Sequence, residues 1–430
     1  QINPMKHNRR RFLLQGGAAV IGGMASPLTV FSENLELASL PNYPASVQDE
    51  NYWKMIRQQF PLQKDWAYLN NGTMGPSPYP VIEAVRKGML DGDMYGNYGG
   101  WESAAAKIGK FVGADENEIA LTHNVTDGIN IVCNGLPLKK GDEVILTTHE
   151  HVGNALPWLN RQRIDGIVIK VFTPAATAEE TLIRIKALLT KKTKAIAVPH
   201  IPCTQGQILP AKEICDWAKA NGLFAFIDGA HGPGMLPLDL HNMNCDAYAS
   251  CCHKWMLGPK GTGFLYVKKS FQNTLESRAV GGGSDNAKWN MATVPISPGA
   301  LTDSAHRYYG GTQALGLYRG VEAAIDFIES IGIQNIYERI HFLGTYTQQE
   351  LLKLGDKIEL ITPTEDKSHC AVNGFRIKGV DFNDFYKTCA ENKVRIRVVH
   401  ENGLNALRVS THIYNNTSEI DRLIELVKKA

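Results

Sequence analysis

From about Glu118 onward the chain repeats one unit, a short run rich in Val, Ile, Ala and Phe followed by a segment whose apolar residues recur at helical spacing. Strands that read as continuous apolar runs, without polar alternation, are buried on both faces. Both faces are covered when helices connect successive parallel strands. The pattern predicts an α/β fold with a mainly parallel sheet sandwiched by helices. The strand candidates are residues 119–122, 143–147, 167–171, 195–198, 224–227, 247–250 and 263–267. Beyond Gly311 the pattern changes. Long helices over 314–330 and 333–354, then a strand–helix–strand–strand–helix tail, predict a smaller α+β C-terminal domain. The stretch 277–309, rich in Gly, Ser, Asn and Pro, reads as an extended connector. The expected organisation is a leader over 1–40, an N-terminal extension over 41–65, a large domain over 66–310 and a small domain over 311–430.

The leader differs from the rest. Arg9-Arg10-Arg11-Phe12-Leu13-Leu14, followed by a Gly/Ala-rich stretch, has a basic start and a weakly apolar middle. Gln15 and the repeated glycines make it a poor spanning helix. It resembles a twin-arginine signal, which implies the twin-arginine export machinery as a partner and a periplasmic or secreted destination. A formal charge of +2 supplies no basic field for a phosphate backbone, so no nucleic-acid partner is expected. Eight cysteines in 430 residues are too sparse for a disulfide scaffold. No C-x-x-C pair suggests zinc, and no metal site is expected.

Four motifs carry candidate chemistry. The run Phe224-Ala225-Phe226-Ile227 delivers Asp228 at a strand's C-terminal end, where open α/β sheets bind ligands. The uncharged run 247–252 ends in His253-Lys254 ahead of a glycine-rich turn, a setting where desolvation frees a lysine amine. Lys260 competes for that role, but its Gly and Pro neighbours place it in a turn. Thr126 and the amides after it lie where a strand passes into a helix, which makes an anion site. His151 follows the next strand and could lie flat on a ring. A reactive lysine, an acid to hold a proton on a pyridine nitrogen, a phosphate cup and a planar group are what pyridoxal 5'-phosphate requires.

Together these residues resemble the class V aminotransferases of the fold-type I pyridoxal phosphate enzymes. The resemblance runs from about Trp66 to Lys429 and is carried by Leu69-Asn70-Asn71-Gly72-Thr73, Thr126-Asp127-Gly128-Ile129-Asn130, Glu150-His151, Asp228-Gly229-Ala230-His231, and His253-Lys254 before Gly258-Pro259-Lys260-Gly261-Thr262-Gly263. It implies that Lys254 forms the Schiff base, Asp228 pairs with the ring nitrogen, His151 stacks on the ring, and His231 reaches the ring hydroxyl. Thr126, with Asp127 beside it, and His253 are implied to bind the cofactor's phosphate end. By the same resemblance Thr312 is lent to a neighbouring subunit's phosphate site in a homodimer with shared active sites, Arg408 grips the substrate carboxylate, and Asn71 belongs to the substrate side. The residues around His253-Lys254-Trp255 are closest to the isopenicillin N epimerase-like branch.

The chain also departs from the family. Cys251 stands where relatives carry a hydroxyl or amide, with Ser250 as its possible substitute. The cysteine desulfurases of this family carry a mobile-loop cysteine shortly before the arginine, yet residues 395–406 contain none. Cys370 and Cys389 fall in a strand-like run and a helix, so persulfide chemistry is not expected. The resemblance implies an enzyme acting on a small amine or amino-acid substrate, by transamination, by epimerisation, or by C–S or C–Se cleavage without a catalytic cysteine. Tyr95, Tyr98 and Trp101 are candidates to line its pocket.

Overall fold

The structure is a computed structural model that describes residues 46–96, 99–286, 290–292 and 299–430. The leader with its arginines, and Tyr98, lie outside the described residues. Among the described residues no helix is long and apolar enough to cross a membrane.

The chain opens with α1 (Glu50–Gln58), whose first turn is capped by Asp49 accepting from the Tyr52 amide. The two-residue β1 (Ala67–Tyr68), α2 (Tyr79–Tyr95) and α3 (Trp101–Val112) follow. The alternating region then runs β2 (Ile119–Thr122), α4 (Val125–Gly135), β3 (Glu143–Thr147), α5 (Val152–Asp165), β4 (Val168–Phe172), α6 (Ala178–Lys186), β5 (Thr193–Pro199), α7 (Ala211–Ala220), β6 (Phe224–Asp228), α8 (Leu240–Met243), β7 (Ala247–Cys251) and β8 (Gly263–Val267).

These seven strands form one sheet in the order β2-β8-β7-β6-β5-β3-β4. β3 to β7 are parallel to one another, and β8 lies antiparallel between β7 and β2. The α/β class read from the apolar runs is the fold observed. β2, β3, β6, β7 and β8 are buried along their whole length. β4 differs. It is one of the sheet's two edges and, unlike β2 at the other, is largely uncovered: Val168 and Val171 are 39% and 52% exposed, and the strand begins one residue later than its apolar run suggested. Trp158, Val132, Ile129 and Phe226 pack into the core cluster on this sheet. Each such side chain contributes roughly 1.5–3 kcal/mol by leaving water.

Two long helices, α9 (Leu315–Ile331) and α10 (Ile333–Leu352), lead to β9 (Ile358–Leu360), β10 (Val372–Ile377), α11 (Phe382–Glu391), β11 (Val394–Arg395), β12 (Arg397–Val399), β13 (Ala406–Ser410) and α12 (Thr417–Lys429). The expected tail had one strand before its helix; two are present, because the three-residue β9 is completed by antiparallel pairing with β10 rather than by its own pattern. The sheet order is β12-β13-β10-β9. β11 pairs instead with β1, and Asn70 bridges Ser410, so the segment 67–73 is drawn against β13. α9 packs on α2 through a close crossing in which a Cβ at Gly88 would lie 2.9 Å from the Gly316 Cα. Buried Arg339 on α10 ties these parts together, bonding Glu50 at 2.8 Å and the Asn415 carbonyl at 3.0 Å.

Candidate active site

The site forms at the C-terminal ends of the parallel strands. β6 ends on Asp228, which is 4% exposed and accepts from the Ala230 amide at 3.0 Å. The turn after it is tight because Tyr248 fills the space beneath, and a Cβ on Gly229 would fall 1.8 Å from the Tyr248 ring. β7 delivers the neighbouring loop. Ser250 donates to the Gly229 carbonyl at 2.8 Å, and the Cys251 thiol points at the Ala230 carbonyl at 3.9 Å, so both side chains are turned toward the 228–231 turn. Three residues on, Lys254 Nζ lies 3.3 Å from His231 Nε2. Lys260 is exposed, and the lysine at the site is Lys254.

α4 and α5 bring in a second group. The cap of α4 is Asn124, accepting from the Asp127 amide at 3.0 Å, which leaves Thr126 inside the first turn. Asp127 turns its carboxylate back to the His123 amide at 3.2 Å and ring at 3.1 Å. His151 caps α5 by accepting from the Gly153 amide at Nδ1, 3.0 Å away, which leaves its Nε2 to carry the proton. A Cβ on Gly153 would lie 2.7 Å from Thr126 Oγ1 and 3.0 Å from His151 Nδ1, so Thr126 and His151 flank one glycine although 25 positions (151 − 126) separate them.

β13 contributes Arg408, 1% exposed. Its guanidinium donates to the Cys203 carbonyl at 2.8 Å, Thr73 Oγ1 at 2.8 Å and Asn70 Oδ1 at 3.2 Å. The Asn70–Thr73 segment meets it at Gly72, where a Cβ would sit 3.1 Å from His231 Cε1 and 3.3 Å from Arg408 Nη2. Asn71 is fully buried and accepts from the Tyr414 hydroxyl at 3.0 Å.

Burial sets the electrostatics. It pushes the Asp228 carboxyl up, opposed by the Ala230 amide and by Lys254, so its charged form gains from any cation brought beside it. Burial and then Lys254 lower His151 and His253 to about 4, and burial holds His231 well below the ordinary histidine range. These rings are neutral at pH 7. Burial, with Arg397 next, lowers Arg408 to about 9. Several donors here have no protein partner: His253 Nδ1, Asn71 Nδ2 and Arg408 Nε are all buried and unbonded. A half-buried lysine amine and a buried acid flanked by unsatisfied donors fit an anionic, ring-bearing carbonyl compound, which is what pyridoxal 5'-phosphate is.

The structure thus brings Asp228, His231 and Lys254 together, sets Thr126 beside His151, and closes Asn70–Thr73 on Arg408. Thr312 is exposed, and its neighbour Gln313 is buried with both amide atoms unpaired. Tyr95 is 74% exposed, at the end of α2, and lines no buried pocket wall. Two features escaped the sequence reading. Arg397 is the direct cross-strand partner of Arg408 and pairs with Glu401. Cys203, in the loop after β5, lies between them, with its carbonyl on Arg408 and its sulfur 4.0 Å from Arg397 Nη1. Its position after a parallel strand was a signal available in the sequence; the Arg397 register was not.

Comparison with known proteins agrees with this architecture. Isopenicillin N epimerase of Amycolatopsis lactamdurans is 28% identical over 393 residues, covering 88% of this chain and 98% of that protein. A Methanothermobacter thermautotrophicus protein named "Probable cysteine desulfurase" is 29% identical over 399 residues, covering 87% of this chain and 97% of its own. Among solved structures, the apo cysteine desulfurase from Thermococcus onnurineus superposes with a TM-score of 0.77 at 26% identity, over 87% of this chain and 98% of that one. A C-DES mutant with glycine covalently linked to its PLP cofactor shares the fold at a TM-score of 0.79 and 24% identity, over 86% of this chain and 98% of that one. The family profile "Aminotransferase class-V" matches residues 97–423, and the chain belongs to that family.

Proposed function

We propose that this chain is a pyridoxal 5'-phosphate-dependent enzyme that works at the amine-bearing carbon of an amino acid or an amino-acid-like, peptidic metabolite, and that its reaction is transamination. The observation that carries the reading is the convergence of the Lys254 amine, the buried Asp228 carboxyl and His231 at the ends of β6 and β7. When bound, the cofactor supplies an aldehyde that takes up an amine and an electron-poor ring that accepts the electron pair left when a proton departs. The rest falls to the protein. Asp228 keeps a proton on the ring nitrogen, because a buried carboxylate is stabilised by a cation at its side. Lys254 would hold the cofactor through its amine, and that amine would carry the proton at the substrate carbon. His151 would lie against the ring, Thr126 and His253 would hold the phosphate, and Arg408 with Asn71 would receive the substrate carboxylate.

Epimerisation is the second reading, favoured by the Cys203 thiol beside Arg397, a proton donor distinct from Lys254, and by the likeness to isopenicillin N epimerase. Cleavage of a C–S or C–Se bond is the third, supported by the desulfurase relatives. Borohydride should fix the cofactor onto Lys254, and a Lys254→Ala chain that still holds reducible cofactor would sink the whole proposal. An L-amino substrate in deuterated buffer without a keto acid then separates the readings. Loss of the cofactor's visible absorbance supports transamination, exchange with inversion supports epimerisation, and released sulfide supports cleavage.

The proposed working unit is a homodimer in which Thr312 completes the phosphate site of a second copy. Mixed dimers of Lys254→Ala and Thr312→Ala chains should regain activity, and proven heterodimers without activity would reject sharing. Export in the folded, cofactor-loaded state by the twin-arginine route completes the proposal; Arg9→Lys with Arg10→Lys should hold active enzyme in the cytoplasm, and unchanged export would reject it.

A further inference from the structure

The residue next to the lysine sets the chemistry of the lysine's neighbour. Trp255 is 1% exposed and its indole N–H donates to His231 Nδ1 at 3.0 Å. An indole N–H can only donate, so Nδ1 must present its lone pair. A neutral imidazole then carries its one proton on Nε2, the nitrogen 3.3 Å from Lys254 Nζ. His231 is buried at 2% exposure among Lys254, Arg408, His151 and Arg397, all of which disfavour a second proton on the ring, as burial does.

The indole itself is held on its far side. His412 stacks on it, centroids 5.5 Å apart and planes 24° from parallel, and donates from Nε2 to the Trp255 carbonyl at 3.2 Å. The donor on His412 is fixed in turn, because its Nδ1 accepts from the Ile413 amide at 2.7 Å. The result is a one-way series, Ile413 amide to His412 to Trp255 carbonyl, then Trp255 indole to His231, with no member free to reverse.

We propose that Trp255 is a positioning residue that locks His231 in the Nε2–H form, so that His231 offers the Lys254 amine a donor and never an acceptor. An ammonium has no lone pair to receive that bond; a free amine has. The arrangement therefore favours the form of Lys254 that attacks an aldehyde, and the same N–H is available to an oxygen on the cofactor once the amine is engaged. This functional consequence rests on the reading of Lys254 as the cofactor lysine; the proton's place on His231 does not.

The test uses the full-length chain stripped of cofactor, with isotope-labelled histidine read by nitrogen NMR and the His231 signal assigned by its loss in His231→Gln. Wild type should show Nε2–H alone. Replacing Trp255 by benzothienylalanine, which keeps shape and stacking but puts sulfur in place of N–H, should let the Nδ1–H form rise by about tenfold, the equilibrium worth of one hydrogen bond. Capture of pyridoxal 5'-phosphate by that variant should slow by a similar factor of about 3 to 10. A fluorotryptophan at the same position retains the N–H and should restore both. Nδ1–H in wild type, or an analogue with an unchanged proton position, overturns the proposal. Failure of borohydride fixation with Nε2–H intact would instead refute the cofactor assignment alone.

Discussion

Arg408 is a buried cation held by neutral acceptors, and replacing it with methionine should separate stability from binding. Arg408 falls from 12.5 to about 9 chiefly through burial, and at about 1.4 kcal/mol per tenfold this marks roughly 5 kcal/mol of unfavourable charge burial that Arg408→Met removes. The same change deletes bonds to the Cys203 carbonyl, Thr73 and Asn70. Charged donors contribute about 1.5–3 kcal/mol each, so roughly 5–9 kcal/mol is lost. The lower end applies here, because Asn70 Oδ1 still accepts from the Thr73 hydroxyl at 2.9 Å and only the Cys203 carbonyl is orphaned. The net cost should stay below about 3 kcal/mol, less than the ~3–5 kcal/mol of breaking a buried ion pair. Urea unfolding with an unchanged slope measures it. A carboxylate ligand at a hundred times its Kd should add about 2.7 kcal/mol to wild type and nothing to Arg408→Met. Destabilisation beyond about 5 kcal/mol, or ligand stabilisation that survives the substitution, would refute the reasoning.

Three further outcomes are expected. Asp228→Ala should lose about 3–4 kcal/mol of transition-state stabilisation, the scale of one preorganised charge; turnover at the wild-type rate would mean the wrong acid has been chosen. Burial raises Cys370 and Cys389 to about 12, so neither should be found as a persulfide after turnover with a sulfur-bearing amino acid, and mass spectrometry of trapped peptides checks this, with Cys203→Ser as the control for the thiol beside Arg397. Burial also lowers His200 and His412 from 6.5 to about 4. Between those values the unfolded chain binds protons that the folded chain refuses, so stability should fall as pH drops from about 6.5 to about 4 and then level off with respect to these two groups. Each should contribute on the order of 3 kcal/mol over that window, and His200→Gln with His412→Gln should flatten the limb in denaturation curves taken across it.

What the sequence disclosed follows what is local in the physics. Central strands announced themselves because burial on both faces demands an unbroken apolar run, and Asp228 and Lys254 were legible because each ends such a run. β4 slipped by a residue because its side chains are largely exposed and its apolar run does not mark its ends, and β9 and β11 are too short to carry a period at all. At the site, the pairing of Thr126 with His151 depends on how two helix starts meet at Gly153. The opposition of Arg397 to Arg408 depends on antiparallel register, and the tautomer set by Trp255 depends on a 3.0 Å contact between side chains from adjacent strands' loops. Such relations are products of the packing, and one-dimensional spacing does not encode them.

The reversed strand β8 also restricts where the gene can tolerate change. Because β8 returns antiparallel to β7, the segment between Cys251 and Gly263 is a hairpin that starts and ends at the same end of the sheet, with the Cys252 amide bonded to the Thr262 carbonyl at 3.0 Å and Gly263 so close that a Cβ would meet the Ser250 carbonyl at 2.6 Å. This connection is pinned at both ends around the lysine. In a library of random insertions neither the 252–262 hairpin nor the tight 229–232 turn should accept added residues, so the reactive centre coincides with stretches of chain that cannot drift in length.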